Sequence, residues 1–314
     1  MAIKLKGRHL VSIADLTPEE FMQIIQTAGS LKQDLYSGHR PELLKNKTLA
    51  EIFQKPSLRT RVAFESAMTH LGGHGIYLGP EDIKLGKREI TEDIAKVLSG
   101  MCDVIMARVF ENKIIRDLAQ YAAVPVINGL CDWEHPTQIL ADFMTIWEKR
   151  QRFHGLKLAY IGDGNNVCNS LLLGSALMGT HMVAITAPGY EPKRTIMDQA
   201  AALADRYNTG SQLSVTNDPV MGIKDADLVY TDVWASMGQE SEAEARKKIF
   251  LPYQVNKTLF SHASPDALFM HCLPAHYDEE VTYDVAHSNQ SVIFEEAENR
   301  MHSIKAILVL LTPN

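Results

Sequence analysis

Cysteine is scarce: four residues, Cys102, Cys131, Cys168 and Cys272, are spread over 314 positions without one Cys-x-x-Cys pair. That spacing argues against a disulfide framework and a zinc ribbon, so reduced thiols are expected. Cys131 and His135 lie four apart, but no second pair completes a tetrahedral metal set, and no metal is expected. No run approaches the roughly 20 apolar residues of a membrane helix, and Met1 to His9 has no apolar core of signal-peptide length. A globular cytoplasmic protein is the expectation. Long basic runs are missing too, and the formal net charge is −7, which argues against nucleic acid as the main partner. Any anion site must then be a local cluster of positive charge. Neither a solenoid-period repeat nor a low-complexity segment is present.

What is present is an ordinary globular composition, 46% hydrophobic and 22% charged, in a chain long enough for two domains. Its most informative stretch is Phe53 to Arg61. Thr48 to Phe53 is apolar and strand-prone, Pro56 ends it, and Ser57 sits where a helix N-cap belongs. A strand feeding a helix N-terminus brings free backbone N–H groups together with the hydroxyls of Ser57 and Thr60 and the guanidinium of Arg59. This reads as a phosphate cradle; the plainer alternative is a structural cap beside solvated arginines.

Around it, helix and strand alternate. Thr17-Pro18-Glu19-Glu20 opens a first helix, followed by strands at 48–53, 76–78, 103–109 and 124–128 with helices between them, one of them expected over 89–101. Such alternation calls for a parallel sheet covered on both faces, with ligands at the carboxyl ends of the strands. That rule selects Ser57 to Arg61, Lys84 to Lys87, Arg108, and Asn128 through Gln138. Pro136 suits the first turn of a helix over 137–150, leaving His135 and Gln138 at its N-terminus.

Glu148 to Gly155 is a charged break and marks the expected domain boundary. Beyond it, Gly162-Asp163-Gly164-Asn165-Asn166 follows a strand and could be mistaken for a dinucleotide fingerprint. Val167 stands where the third glycine belongs, and the next strand ends without the acid that holds a ribose. No nucleotide cofactor is expected. Later strands end at Asp232 and at His271-Cys272-Leu273-Pro274, while 291–294 reads as strand and 298–311 as a helix whose apolar face is interrupted by Arg300.

The Ser57-x-Arg59-Thr60-Arg61 and His135-Pro136-Thr137-Gln138 segments resemble the two signatures of the aspartate and ornithine carbamoyltransferases. Three further motifs resemble those of the ornithine branch: Gly162 to Asn166, Asp232 with Ser236-Met237-Gly238, and His271 to Pro274. The five stand in family order across the full chain. Leu58 departs from the usual Ser-Thr-Arg-Thr-Arg form, and Lys84-Leu85-Gly86 stands where ornithine enzymes usually carry Gln-Leu-Gly.

The resemblance implies an α/β fold of two doubly wound domains, each a parallel sheet flanked by helices. One domain, 1–150 plus the returning C-terminal helix 297–314, is expected to bind carbamoyl phosphate, and the other, 151–296, L-ornithine. The implied reaction gives L-citrulline and phosphate through a tetrahedral intermediate, with no cofactor and no metal. Carbamoyl phosphate would be held by Ser57, Leu58, Arg59, Thr60, Arg108, His135, Gln138 and Arg300. Ornithine would be held by Asn166, Asp232, Ser236, Met237, Cys272 and Leu273. Arg108, His135, Asp232 and Cys272 are the implied catalytic residues. A homotrimer or a multiple of trimers is implied, with Lys84 reaching a neighbouring subunit's site. Two other readings stand beside this one: an acylated ornithine or putrescine as acceptor, or a non-catalytic homologue.

Overall fold

The computed structural model describes residues 5–83, 89–235 and 240–313. Two compact units emerge: 1–144 with 298–314, and 145–297. The division falls inside one continuous helix, Pro136–Arg150, before the charged break that the sequence marks.

Unit 1 is built on four parallel strands, β1 (Thr48–Phe53), β2 (His74–Leu78), β3 (Val104–Arg108) and β4 (Val126–Leu130), in the order β2-β1-β3-β4. Strands buried on both faces need near-continuous apolar sequence, and Val104 to Ala107 are all fully buried. The edge strand β2 is only half-covered. Chain order reverses between β1 and β3, which pair with Phe53 opposite Arg108. A crevice at the carboxyl ends of strands opens at such a reversal. The helices α1 (Pro18–Tyr36) and Ile293–Leu311 pack within this unit through residues 298–311. Lys32 Nζ donates to Asn299 Oδ1 at 2.8 Å, and Lys305 Nζ to the Leu31 carbonyl at 3.0 Å. Thr17 caps α1 reciprocally with Glu20, and Pro18 occupies its first turn.

Unit 2 holds five parallel strands, β5 (Lys157–Ile161), β6 (His181–Ile185), β7 (Leu213–Thr216), β8 (Leu228–Thr231) and β9 (Leu268–His271), ordered β7-β6-β5-β8-β9. Its reversal lies between β5 and β8, with Ile161 opposite Thr231. The polar segments that follow β5, β8 and β9 therefore gather at one edge.

Two expectations need correction. Residues 291–294 are not a strand: Ser291 makes only an isolated bridge to Phe269, and the last helix already begins at Ile293. Glu295 and Glu296 in its first turn face the positive end of the helix dipole, a start signal outweighed in the sequence by apolar Val292, Ile293 and Phe294. The helix expected over 89–101 is shorter, Thr91–Ser99, and is closed by Gly100.

Candidate active site

In unit 1 the cradle forms at the carboxyl end of β1. Ser57 caps helix α2 (Leu58–His70), its Oγ accepting the Thr60 amide at 3.4 Å. Thr60 is buried at 1% exposure, whereas Leu58 at 74% points its side chain outward. Arg300, 2% exposed, donates through Nη1 to Gln138 Oε1, and through Nη2 to Thr60 Oγ1 at 3.4 Å and Thr137 Oγ1 at 3.5 Å. The Gln138 amide is fixed in turn by donating to Asp142 Oδ1 at 2.8 Å.

Electrostatics at this cluster are dominated by positive charge. Burial first, then the guanidinium groups of Arg300, Arg108 and Arg59, push the His135 pKa well below the ordinary histidine range. A neutral imidazole among three fixed cations can donate a hydrogen bond without adding charge. Two helix N-termini, those of α2 and of Pro136–Arg150, open at the same group of residues and offer backbone N–H donors. A compact, multiply charged anion with a carbonyl fits this donor set.

In unit 2 the turn after β5 is shaped by tight approach. A Cβ on Gly164 would lie 2.4 Å from the Pro192 nitrogen, so only glycine fits there. Asn165 caps the helix Asn166–Met178, its Oδ1 accepting Val167 and Cys168 amides at 3.0 Å, while Nδ2 donates to Asp232 Oδ2 at 2.7 Å. The other Asp232 oxygen accepts the Cys272 thiol at 3.1 Å and the Val233 amide at 2.8 Å. A carboxylate, a thiol and a carboxamide thus meet where β5, β8 and β9 end. Beneath them, burial followed by the charge of Asp232 raises the Tyr160 phenol well above its usual range. Asp163 pairs with the buried Arg246 at 2.7 Å, and Arg246 also donates to the Trp234 carbonyl at 3.0 Å.

Asp232, His271 and Cys272 place potential metal donors within 4.8 Å of one another. The donors are already engaged, Asp232 as described and His271 through Leu273 N to Nδ1 at 2.8 Å and Nε2 to Glu280 at 3.1 Å. In the other such group, Glu279 is paired with Lys247 at 2.9 Å and Glu280 Oε1 accepts from His271 and His276.

Comparison with known proteins identifies the arrangement. Residues 8–148 match the carbamoyl-P binding domain, and residues 154–311 the Asp/Orn binding domain, of aspartate/ornithine carbamoyltransferase. The chain belongs to the aspartate/ornithine carbamoyltransferase family. Ornithine carbamoyltransferase of Pyrococcus abyssi is 54% identical, with 99% of this chain and 98% of that protein aligned. That of Methanosarcina acetivorans is 50% identical over 97% of this chain and 99% of its own length. The solved ornithine carbamoyltransferase of Pyrococcus furiosus superimposes with a TM-score of 0.96 at 52% identity, covering 99% of both chains. The Thermus thermophilus structure gives 0.85 at 41%, covering 97% and 99%.

For this carbamoyltransferase chain the structure gathers Ser57, Thr60, His135, Gln138 and Arg300 in unit 1, with the charges of Arg59 and Arg108 felt at His135. Unit 2 brings Asp232 to Cys272, next to Leu273, with Asn166 one residue beyond the cap that holds Asp232. Lys84, Ser236 and Met237 lie outside the described residues. The sequence marks Thr137, Asn165 and His271 only as members of motifs, without their partners, and does not mark Asp142, Arg246 or Glu280. The four-residue step from Gln138 to Asp142 was legible as a helix pair, whereas nothing local marks Arg246 as the partner of Asp163.

Proposed function

We propose that this chain transfers the carbamoyl group of carbamoyl phosphate to the δ-amine of L-ornithine, releasing L-citrulline and phosphate. The observation that carries the reading is the buried, neutral His135 held among Arg59, Arg108 and Arg300 at two helix N-termini. Ser57, the Leu58 backbone, Arg59, Thr60, Arg108 and Arg300 hold the phosphate and carbonyl, and Gln138 orients the carbamoyl amide. Arg108 and His135 act as donors to the carbonyl oxygen as it becomes a tetrahedral oxyanion. The amine must attack unprotonated, although a free alkylamine is mostly protonated at neutral pH. Asp232 and Cys272 position it, and Asn166, Ser236, Met237 and the Leu273 backbone hold the α-amino and carboxylate groups. The C–N bond forms, the tetrahedral intermediate collapses with cleavage of the C–O bond, and the departing phosphate takes the electron pair of that bond and the proton released by the attacking nitrogen.

Among described residues no helix is long and apolar enough to cross a membrane, and none of the four cysteines forms a disulfide. Reduced thiols support a cytoplasmic setting. A homotrimer, or a multiple of trimers, is the proposed assembly. Leu58 and Val62, exposed one helical turn apart on α2, supply an apolar strip for such a contact.

The test is product formation from carbamoyl phosphate with L-ornithine, N-acetyl-L-ornithine, N-succinyl-L-ornithine, putrescine and L-aspartate side by side. Selective citrulline formation is expected. Turnover of another acceptor overturns the acceptor assignment, and no turnover with any overturns the reading. Light scattering of the purified protein tests the trimer. Lys84→Gln is expected to lower carbamoyl-phosphate affinity and its salt dependence; unchanged values remove Lys84 from a neighbour's site.

A further inference from the structure

Gln54 stands at the carboxyl end of β1, just ahead of the Ser57 cap, and the proposed reaction gives it no part. Strands β1 and β3 pair as far as Phe53 and Arg108. One rung further, the Gln54 amide donates to the Arg108 carbonyl at 2.9 Å. In a parallel ladder the next rung would run from the Phe110 amide to the Gln54 main-chain carbonyl. Here it runs to the side chain instead: Phe110 N donates to Gln54 Oε1 at 2.8 Å. A backbone amide only donates, which settles that the carboxamide presents its oxygen. The main chain is thereby released to leave the sheet through Lys55 and Pro56 and to cap α2 at Ser57. On its other side the same segment is held to the end of β4 and the turn after it. Val109 N donates to the Leu130 carbonyl at 2.9 Å, and Asp132 N to the Phe110 carbonyl at 2.8 Å. The register of β3 on β4 shifts there, between Ala107 and Arg108.

Resting on the reaction assigned above, we infer that Gln54 is a positioning residue for Arg108. Through its own amide and its side-chain carbonyl it grips the backbone on both sides of Val109. The base of the Arg108 side chain is thereby fixed relative to Ser57 and Thr60, which follow Gln54 on the same piece of chain. The cradle and the arginine that completes it come from different strands, and regular pairing between those strands stops at Phe53. The side-chain rung carries their alignment beyond that point. What it needs is an acceptor of the right length. Methionine has the length of glutamine but no carbonyl, whereas glutamate keeps an oxygen there. The Gln54 Nε2 that glutamate gives up makes no hydrogen bond among the described residues.

The experiment uses the full-length protein and three readings: carbamoyl-phosphate affinity by calorimetry without acceptor, steady-state kinetics, and hydrogen exchange of the Phe110 amide by mass spectrometry. Gln54→Met is expected to lower kcat by about tenfold or more, since a shift of about 1 Å at a group that orients the reacting atoms has such an effect. Carbamoyl phosphate should bind about fivefold more weakly, the equivalent of one hydrogen bond. KM for ornithine at saturating carbamoyl phosphate should stay within about twofold. Gln54→Glu should bring kcat back to within about threefold of wild type and restore protection of the Phe110 amide. Its added charge lowers affinity for an anion, so recovery is read in kcat and exchange. A purely structural role would lower the melting temperature and leave kcat per folded molecule and carbamoyl-phosphate affinity unchanged; that result overturns the proposal, as does failure of the glutamate to restore kcat. The wild-type exchange needs no variant to fold correctly, and an unprotected Phe110 amide refutes the rung. Should the wild type fail to carbamoylate ornithine, the acceptor assignment falls, while calorimetry and exchange still decide the positioning role.

Discussion

Replacing Glu51 by Gln is expected to stabilise this protein, and to do so increasingly as pH rises. Glu51 lies in β1 at 0% exposure, and neither carboxylate oxygen accepts a hydrogen bond among the described residues. Its Oε1 fills the space beside Gly75, where a Cβ would come within 2.4 Å. Burial, then the neighbouring charge of Glu65, raise its pKa from 4.5 to about 8 against the opposing pull of Arg61. Between those values the native state keeps a proton that the unfolded chain gives up. The contribution of Glu51 is therefore fullest below pH 4.5, declines as pH climbs to about 8, and is level above it. At about 1.4 kcal/mol per pH unit, the interval amounts to about 5 kcal/mol at the plateau, an order-of-magnitude figure. Glu51→Gln keeps the shape and cannot ionise, so its advantage should be small near pH 5 and several kcal/mol at pH 9, by the same linkage. Guanidinium denaturation of both proteins, followed by circular dichroism with a refolding control, reads the difference, and groups titrating alike in both cancel. A difference that does not change with pH, or that shrinks as pH rises, would refute the reasoning.

Arg300→Lys should weaken the anion cradle of unit 1 selectively: an ammonium cannot span Gln138, Thr60 and Thr137 together. Charge-assisted bonds contribute about 1.5–3 kcal/mol each, so KM for carbamoyl phosphate should rise by about 10- to 100-fold. Ornithine KM at saturating carbamoyl phosphate should change little, and an equal rise in both would count against the assignment. For His135 the sign is opposite to that of Glu51. Its native pKa is depressed below 6.5, so its contribution is complete above that value and is lost as pH falls through the unfolded value and below. His135→Asn should therefore lose less stability than the wild type between about pH 6.5 and 5, measured by the same denaturation series; parallel curves would show the imidazole to be already protonated.

The fold was legible because both sheets obey one rule. Strands buried on both faces read as apolar runs, and the polar residues left over sit at their carboxyl ends. That rule is what singles out Ser57, Arg108, Asp232 and Cys272 in the sequence. What escaped was long-range pairing between polar groups. Asn165 is the cap of the helix Asn166–Met178, but its second role, on Asp232, depends on a residue 67 positions away. Glu280 reads as an ordinary surface acid between Glu279 and Val281, and only the fold buries it against His271. The early start of the last helix was missed because Val292, Ile293 and Phe294 suit a strand as well as a helix, and tertiary packing decides between them.

Leu58 is where the family pattern and the geometry can be set against each other. The usual residue there is threonine, whose hydroxyl would be a further donor to the anion. On α2, however, Ser57 and Thr60 turn inward while Leu58 is 74% exposed and Val62, one turn on, is 52% exposed. Position 58 thus offers the cradle its backbone N–H, which is the same for leucine and threonine, and directs its side chain elsewhere. Leu58→Thr is expected to leave KM for carbamoyl phosphate within about threefold of wild type, which is under about 0.7 kcal/mol. A tenfold fall would correspond to about 1.4 kcal/mol, the worth of one hydrogen bond, and would mean that the hydroxyl reaches the ligand. Unchanged kinetics together with weaker self-association, read by light scattering across a dilution series, would instead assign Leu58 to the apolar strip it forms with Val62.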